Sequence, residues 1–235
     1  MYTNSIKDFS LDSKYLNLSF FGNKLNIGII GAGRGAFIKA KTFLDKGCNV
    51  EVLALNFIED FEELKRNGIK IIKDKYYKEF INNKHIIVIA IDDNEIIKEI
   101  VTDCNNLCKL YINSSSFKEG LGVVPVTRES KNITISVNTK LGNPKAAVFM
   151  ANKIVDLINK YDDLVEFTSY IRNNIDINKE VKKDLLTFIN SDDYEFFYSI
   201  GKHIDILKLF YNHKVMEEIN TIKQGEDING TSTCN

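Results

Sequence analysis

Apolar residues follow two rhythms along this chain. Up to about residue 113, short β-branched runs alternate with stretches whose apolar positions recur every three or four residues. LNIGII (25–30), NVEVLAL (49–55), IKIIKD (69–74), HIIVIAI (85–91) and LYINS (110–114) predict strands. Residues 36–46, 59–67 and 94–108 predict helices. In the last of these Ile96, Ile97, Ile100, Val101 and Cys104 share one face. Gly47 and Gly68 end the first two, as glycine commonly does just past a helix. Strands alternating with helices predict a parallel sheet with right-handed crossovers.

The rhythm changes beyond residue 114. VVPVTRESKNITISVNT (123–139) holds two alternating runs around a polar turn and predicts a hairpin or antiparallel pair. Residues 143–161 predict a helix with Asn143 as N-cap and Pro144 at its first position. Residues 162–222 are helical in pattern. Leu164, Phe167, Ile171 and Ile175 lie on one face, and Val181, Leu185, Phe188 and Ile189 on another. QGEDINGTSTCN (224–235) is mostly polar. The expected fold class is therefore α/β: a Rossmann-like parallel sheet domain (1–113), a small dimerisation segment with antiparallel strands (114–149), a C-terminal helical domain (150–222) and a disordered tail (223–235). Homodimerisation is expected because the short strands of 114–149 cannot bury both faces within one chain, and exposed edges invite pairing.

Composition narrows the classes of partner. The 235 residues carry 31 Lys+Arg against 32 Asp+Glu, so no basic excess suggests a nucleic-acid surface. No apolar run is long enough to span a bilayer, and MYTNSIKDFSLDSKY lacks the apolar core of a signal peptide. Cys48, Cys104, Cys108 and Cys234 read as reduced thiols of a cytoplasmic protein. Cys104 and Cys108 stand four apart on a helix, but no second ligand pair lies near them, so no metal site is expected. His85, His203 and His213 are scattered and read as surface or capping residues.

The chemistry-bearing motif is Gly31-Ala32-Gly33-Arg34-Gly35-Ala36, which fits GxGxxG/A between a strand and a helix. Gly31 permits the tight turn, Gly33 admits a pyrophosphate to the backbone, and Ala36 lets the helix pack close to the sheet. The helix N-terminus then offers N–H groups to the phosphates. The acidic residue expected at the end of the second strand is absent. Asn56 is the nearest group able to bond a ribose hydroxyl, and no arginine sits there for a 2′-phosphate, which favours NAD over NADP. Asp92 and Asp93 follow the fourth strand at the sheet edge where ligands sit. They read equally as a helix N-cap.

YLNLSFFGNKLNIGIIGAGRGAFIKAKTFLDKGCNVEVLA resembles the opening of the precorrin-2 dehydrogenase family, the NAD-dependent module of sirohaem synthases. IIVIAIDDNEI resembles that family's fourth strand and ATDD-like turn. VVPVTRESKNITISVNTKLGNPKAAVFMANKI resembles its proline-containing segment, STGGxSP-like turn and helix. The likeness runs in order over residues 15–160. It implies a Rossmann-like domain, a swapped dimer, a helical domain, and oxidation of the tetrapyrrole precorrin-2 to sirohydrochlorin with hydride transfer to NAD.

Bifunctional members of the family carry an Asp after the fifth strand. Counting back from Pro125 without a gap places Ser115 there, and a one-residue slip would make it Ser114 or Ser116. Serine is a poor base at neutral pH, so the resemblance implies a dehydrogenase without iron insertion, the serines orienting substrate. As a polar turn, the same serines need no such role. NTKLGNP (138–144) has one glycine where the family has two. Lys118, Arg128, Lys140 and Lys145 supply cations for a polycarboxylate substrate, or form an ordinary solvated face. Two other functions share these features: another NAD-linked oxidoreductase on the same fold, and a non-catalytic protein that binds NAD or a tetrapyrrole.

Overall fold

The computed structural model describes residues 15–229. The expectations for residues 1–14, Cys234 and the end of the tail lie outside them. The chain divides into two compact units, Met1–Val124 and Pro125–Asn235.

In the first unit five parallel strands form one sheet in the order β3-β2-β1-β4-β5. They are β1 (Asn26–Ile30), β2 (Asn49–Leu53), β3 (Lys70–Ile72), β4 (Ile86–Ile89) and β5 (Leu110–Asn113). Helices α1 (Arg34–Asp45), α2 (Phe61–Arg66) and α3 (Asn94–Asn106) connect them. Alternate residues face opposite sides of the sheet. Ile27, Ile29, Val50, Val52 and Val88 pack against Ala36 and Ala40 of α1 and Phe61 and Leu64 of α2. Ile30, Leu53, Ile87 and Ile89 pack against Ile97, Ile100 and Cys104 of α3 and against Phe80 and Ile81 of a 3-10 turn, Lys78–Ile81. Both faces are covered, which explains the nearly continuous apolar runs. The chain order reverses between β1 and β4, so the sheet's switch point opens there.

A charged pair lies inside this apolar frame. Glu51 of β2 faces the α3 side, where its carboxylate pairs with buried Lys84 at 3.1 Å and with exposed Lys70 at 3.4 Å. Lys84 also donates to Asn83 and lies over the Phe80 ring. Gly28, opposite Glu51 on β1, leaves room for the lysine stem; a Cβ there would stand 3.1 Å from Lys84 Cγ.

In the second unit β6 (Val126–Glu129) and β7 (Thr134–Val137) form an antiparallel hairpin packed on α4 (Pro144–Asn174). Asn143 caps α4 by accepting from Ala146 N–H at 3.0 Å, with Pro144 next to it. α4 does not stop at residue 161 as the pattern suggested. No glycine or proline interrupts it, and it runs on through Leu164, Phe167 and Ile171 into the helical core. Helices α5 (Lys179–Ile189), α6 (Asp192–Ser199), α7 (His203–Phe210) and α8 (His213–Asn229) complete that core around Leu185, Tyr194, Leu207 and Ile219. α8 reaches Asn229, so residues 223–229 are helical where a disordered tail was expected.

Asp162 of α4 clamps the hairpin turn. Its carboxylate accepts from Ser130 Oγ at 2.7 Å and from the Lys131 and Asn132 N–H groups at 3.1 and 2.9 Å. The Ser130 hydrogen bond, followed by those backbone bonds, holds the Asp162 carboxyl below its ordinary pKa.

Candidate dinucleotide-binding site

A parallel sheet gathers the ends of its strands at one edge. The segments after β1, β2, β4 and β5 therefore meet there, and with them residues 31–36, Asn56, Asp92, Asp93 and Ser114–Ser116. Direct bonds tie the segments together. Gly31 N–H donates to Leu53 O at 2.9 Å, Ile58 N–H to Ala32 O at 3.3 Å, and Ser114 N–H to Ile89 O at 2.8 Å.

The three glycines of the loop differ in what they face. Gly31 has φ +107°, and a Cβ there would lie 2.2 Å from Ala90 O. That position requires glycine for the turn itself. A Cβ at Gly33 or Gly35 would meet nothing within 4 Å. Gly33 is the N-cap of α1 and has no side chain to satisfy the first-turn N–H groups, whose first intrahelical bond is Phe37 N–H to Gly33 O at 3.0 Å. Open space over unclaimed N–H groups and the positive end of a twelve-residue helix fits a pyrophosphate. Ala36 is buried against the sheet, as close packing of α1 demands.

The other expected residues divide by role. Asp93 is the N-cap of α3, accepting from Glu95 and Ile96 N–H at 3.0 and 3.2 Å. Asp92 is exposed beside it, and Asn56 is exposed in the segment after β2. Ser115 Oγ donates to Ile91 O at 2.6 Å, so its single proton is engaged. The Ser115 and Ser116 N–H groups donate to Asn113 Oδ1 at 3.0 and 3.1 Å, and Asn113 Nδ2 reaches Glu119 Oε2 at 3.3 Å. The serines thus form a turn built on a buried asparagine. Ser114 Oγ is buried without a hydrogen-bond partner.

The cations do not share one unit. Lys118 lies in the first. Arg128, Lys140 and Lys145 lie in the second, where Arg128 Nε donates to Asn152 Oδ1 at 2.9 Å while Lys140 and Lys145 are exposed. His85 Nδ1 accepts from Asn26 N–H at 2.9 Å, a bond that fixes the start of β1.

Two features escape a sequence reading. Arg34, inside the glycine motif, reaches Asp60 beyond β2 at 2.7 Å and lies over the Phe37 ring. Asn113 reads as a plain strand residue, although a buried Asn at a strand end ahead of Ser-Ser-Ser is the signal of such a turn.

Residues 22–126 match the family model described as "Putative NAD(P)-binding", which bears out a nicotinamide-dinucleotide domain over this sheet. Among solved structures the chain is similar to SirC, a precorrin-2 dehydrogenase, with TM-score 0.65 and 19% identity over 89% of this chain and 100% of that one. It shares its fold with a precorrin-2 dehydrogenase. The Rossmann-like sheet and the helical C-terminal region are both borne out. A D-isomer specific 2-hydroxyacid dehydrogenase from Lactobacillus delbrueckii ssp. bulgaricus, in its NAD-complexed form, matches 41% of this chain and 28% of its own at 15% identity and TM-score 0.32, too distant to bear on the fold. A sequence comparison with curated proteins finds no match. No helix among the described residues is long and apolar enough to cross a membrane.

Proposed function

We propose that the protein oxidises precorrin-2 to sirohydrochlorin, reducing NAD, and does so without inserting iron. The observation that carries the reading is the glycine loop at the switch point of a sheet whose whole-chain relative, SirC, is a precorrin-2 dehydrogenase. NAD held at the loop supplies a hydride acceptor. The chain's own part is to hold the pyrophosphate on the N–H groups of α1, with Gly33 and Gly35 leaving it room. Asp92 and Asn56 stand at the same edge, where ribose hydroxyls need acceptors. The reaction transfers two electrons and one proton as hydride, and releases a second proton. No serine of the 114–116 turn is placed as a strong base, so that proton leaves to solvent. Metal insertion needs acceptors for two pyrrole protons, which this turn does not offer.

The homodimer belongs to the same reading. Leu141, between β7 and α4, and Val148, Phe149, Met150 and Leu157 in the first half of α4 are exposed. Such an apolar face suits a second copy.

The test is an anaerobic incubation with precorrin-2 and NAD, then with sirohydrochlorin and ferrous iron. Sirohydrochlorin and NADH should form in equal amounts, and sirohaem no faster than without protein. Sirohaem well above that background would refute the dehydrogenase-only reading. Binding of both ligands without turnover would favour a carrier role.

A further inference from the structure

The helical unit carries a shallow, open depression of its own, about 470 Å³ in volume, lined by Arg172, Lys179, Lys182, Lys183, Leu186 and Thr187. Arg172 comes from the last turn of α4. The other five share one face of α5, where positions 179, 182, 183, 186 and 187 follow the helical repeat. Four cations line the depression, Arg172, Lys179 and Lys183 exposed and Lys182 half-buried. Among the described residues none of them forms an ion pair with a carboxylate, although Asp176, Glu180 and Asp184 lie in the same segment. Lys182 is held in place, its Nζ donating to Ile175 O at 2.9 Å.

This arrangement works against the helix that carries it. Lys179 opens α5 at the positive end of its dipole, and Lys179 and Lys183 are like charges four residues apart. Residue choices that oppose local stability are expected where a site needs them. The lining matches an anion. Ammonium groups act as point charges on phosphate or carboxylate oxygens, and a guanidinium adds a planar fork. Leu186 is the single apolar side chain in the lining, so the ligand needs no large hydrophobic body.

We propose that this depression binds a compact polyanion, a small molecule with clustered phosphate or carboxylate groups. The site goes beyond the dinucleotide reading, since every lining residue belongs to the second unit. Calorimetric titration of the full chain with inorganic diphosphate, citrate and monophosphate, at fixed ionic strength, tests it. Diphosphate or citrate should bind once per chain, at least about tenfold tighter than monophosphate, and more weakly as salt rises. The tighter of the two identifies phosphate or carboxylate as the natural group. Arg172→Glu with Lys183→Glu should weaken that binding about tenfold or more and leave NAD affinity unchanged. If the reversals disturb the circular dichroism spectrum, Arg172→Gln with Lys183→Gln should show the same direction of effect. Equal binding of all three anions, or affinity unaltered in the variants, would overturn the proposal. So would a matching loss of NAD affinity, which would assign the depression to the dinucleotide.

Discussion

Gly31 and Gly33 stand two residues apart in one loop, yet their substitution should have opposite consequences. At Gly33 the backbone is extended, with φ −84° and ψ −173°, which any residue adopts, and a Cβ meets nothing within 4 Å. Gly33→Val should therefore fold normally. Its side chain fills the approach to the α1 N–H groups. Losing about two charge-assisted bonds to phosphate, at roughly 1.5–3 kcal/mol each, gives about 3–6 kcal/mol. At about 1.4 kcal/mol per tenfold, NAD affinity should fall more than about 100-fold. At Gly31 φ is +107° and a Cβ lies 2.2 Å from Ala90 O, with backbone on the other side of the clash. Backbone strain of about 1–3 kcal/mol and overpacking of a similar size should destabilise Gly31→Val by roughly 2–6 kcal/mol. That corresponds to a melting point lower by about 5–20 °C. Calorimetric NAD titration and thermal melts of both variants decide the matter. Wild-type NAD affinity in Gly33→Val, or a wild-type melting point in Gly31→Val, would refute the assignment of the two glycines.

Glu51→Ala strands the buried Lys84 ammonium and should cost about 3–5 kcal/mol in urea unfolding, whereas Lys70→Ala, at the exposed end of the same cluster, should cost under about 1 kcal/mol. The Asp162 carboxyl has a lower pKa folded than unfolded, so its contribution is full above the unfolded value near 3.8 and fades as pH falls through the folded one. Asp162→Asn should accordingly be less stable than wild type at neutral pH, and the gap should close in acid; a gap independent of pH would contradict the clamp. Phe149→Glu, in the exposed apolar face of α4, should convert a dimer to a monomer by light scattering; an unchanged mass would place the interface elsewhere.

Much of the frame could be read from the chain because its signals are local. β-branched runs marked all five parallel strands, and Asn143-Pro144 marked the start of α4. The boundaries were less legible. The third strand is only Lys70–Ile72, and the helix expected over 143–161 continues without interruption to Asn174. What stayed hidden depends on residues far apart in sequence. Glu51 in an apolar strand had no visible reason until Lys84 came beside it. Arg34 gave no hint of Asp60. The serines offered both a site and a turn, and only the placement of Ile91 O and Asn113 shows how far their donors are committed. For Asp92-Asp93 the two readings separate by residue, Asp93 as the cap and Asp92 exposed at the edge.

The most direct test of the central claim couples the loop to the chemistry in one experiment. Wild type and Gly33→Val are mixed anaerobically with precorrin-2 and NAD, and NADH formation is followed from the first seconds. Wild type should produce NADH together with sirohydrochlorin, while Gly33→Val, equally folded, should produce both at least about 100-fold more slowly at subsaturating NAD. No NADH from wild type, or equal rates from the two proteins, would contradict a precorrin-2 dehydrogenase working from this glycine loop.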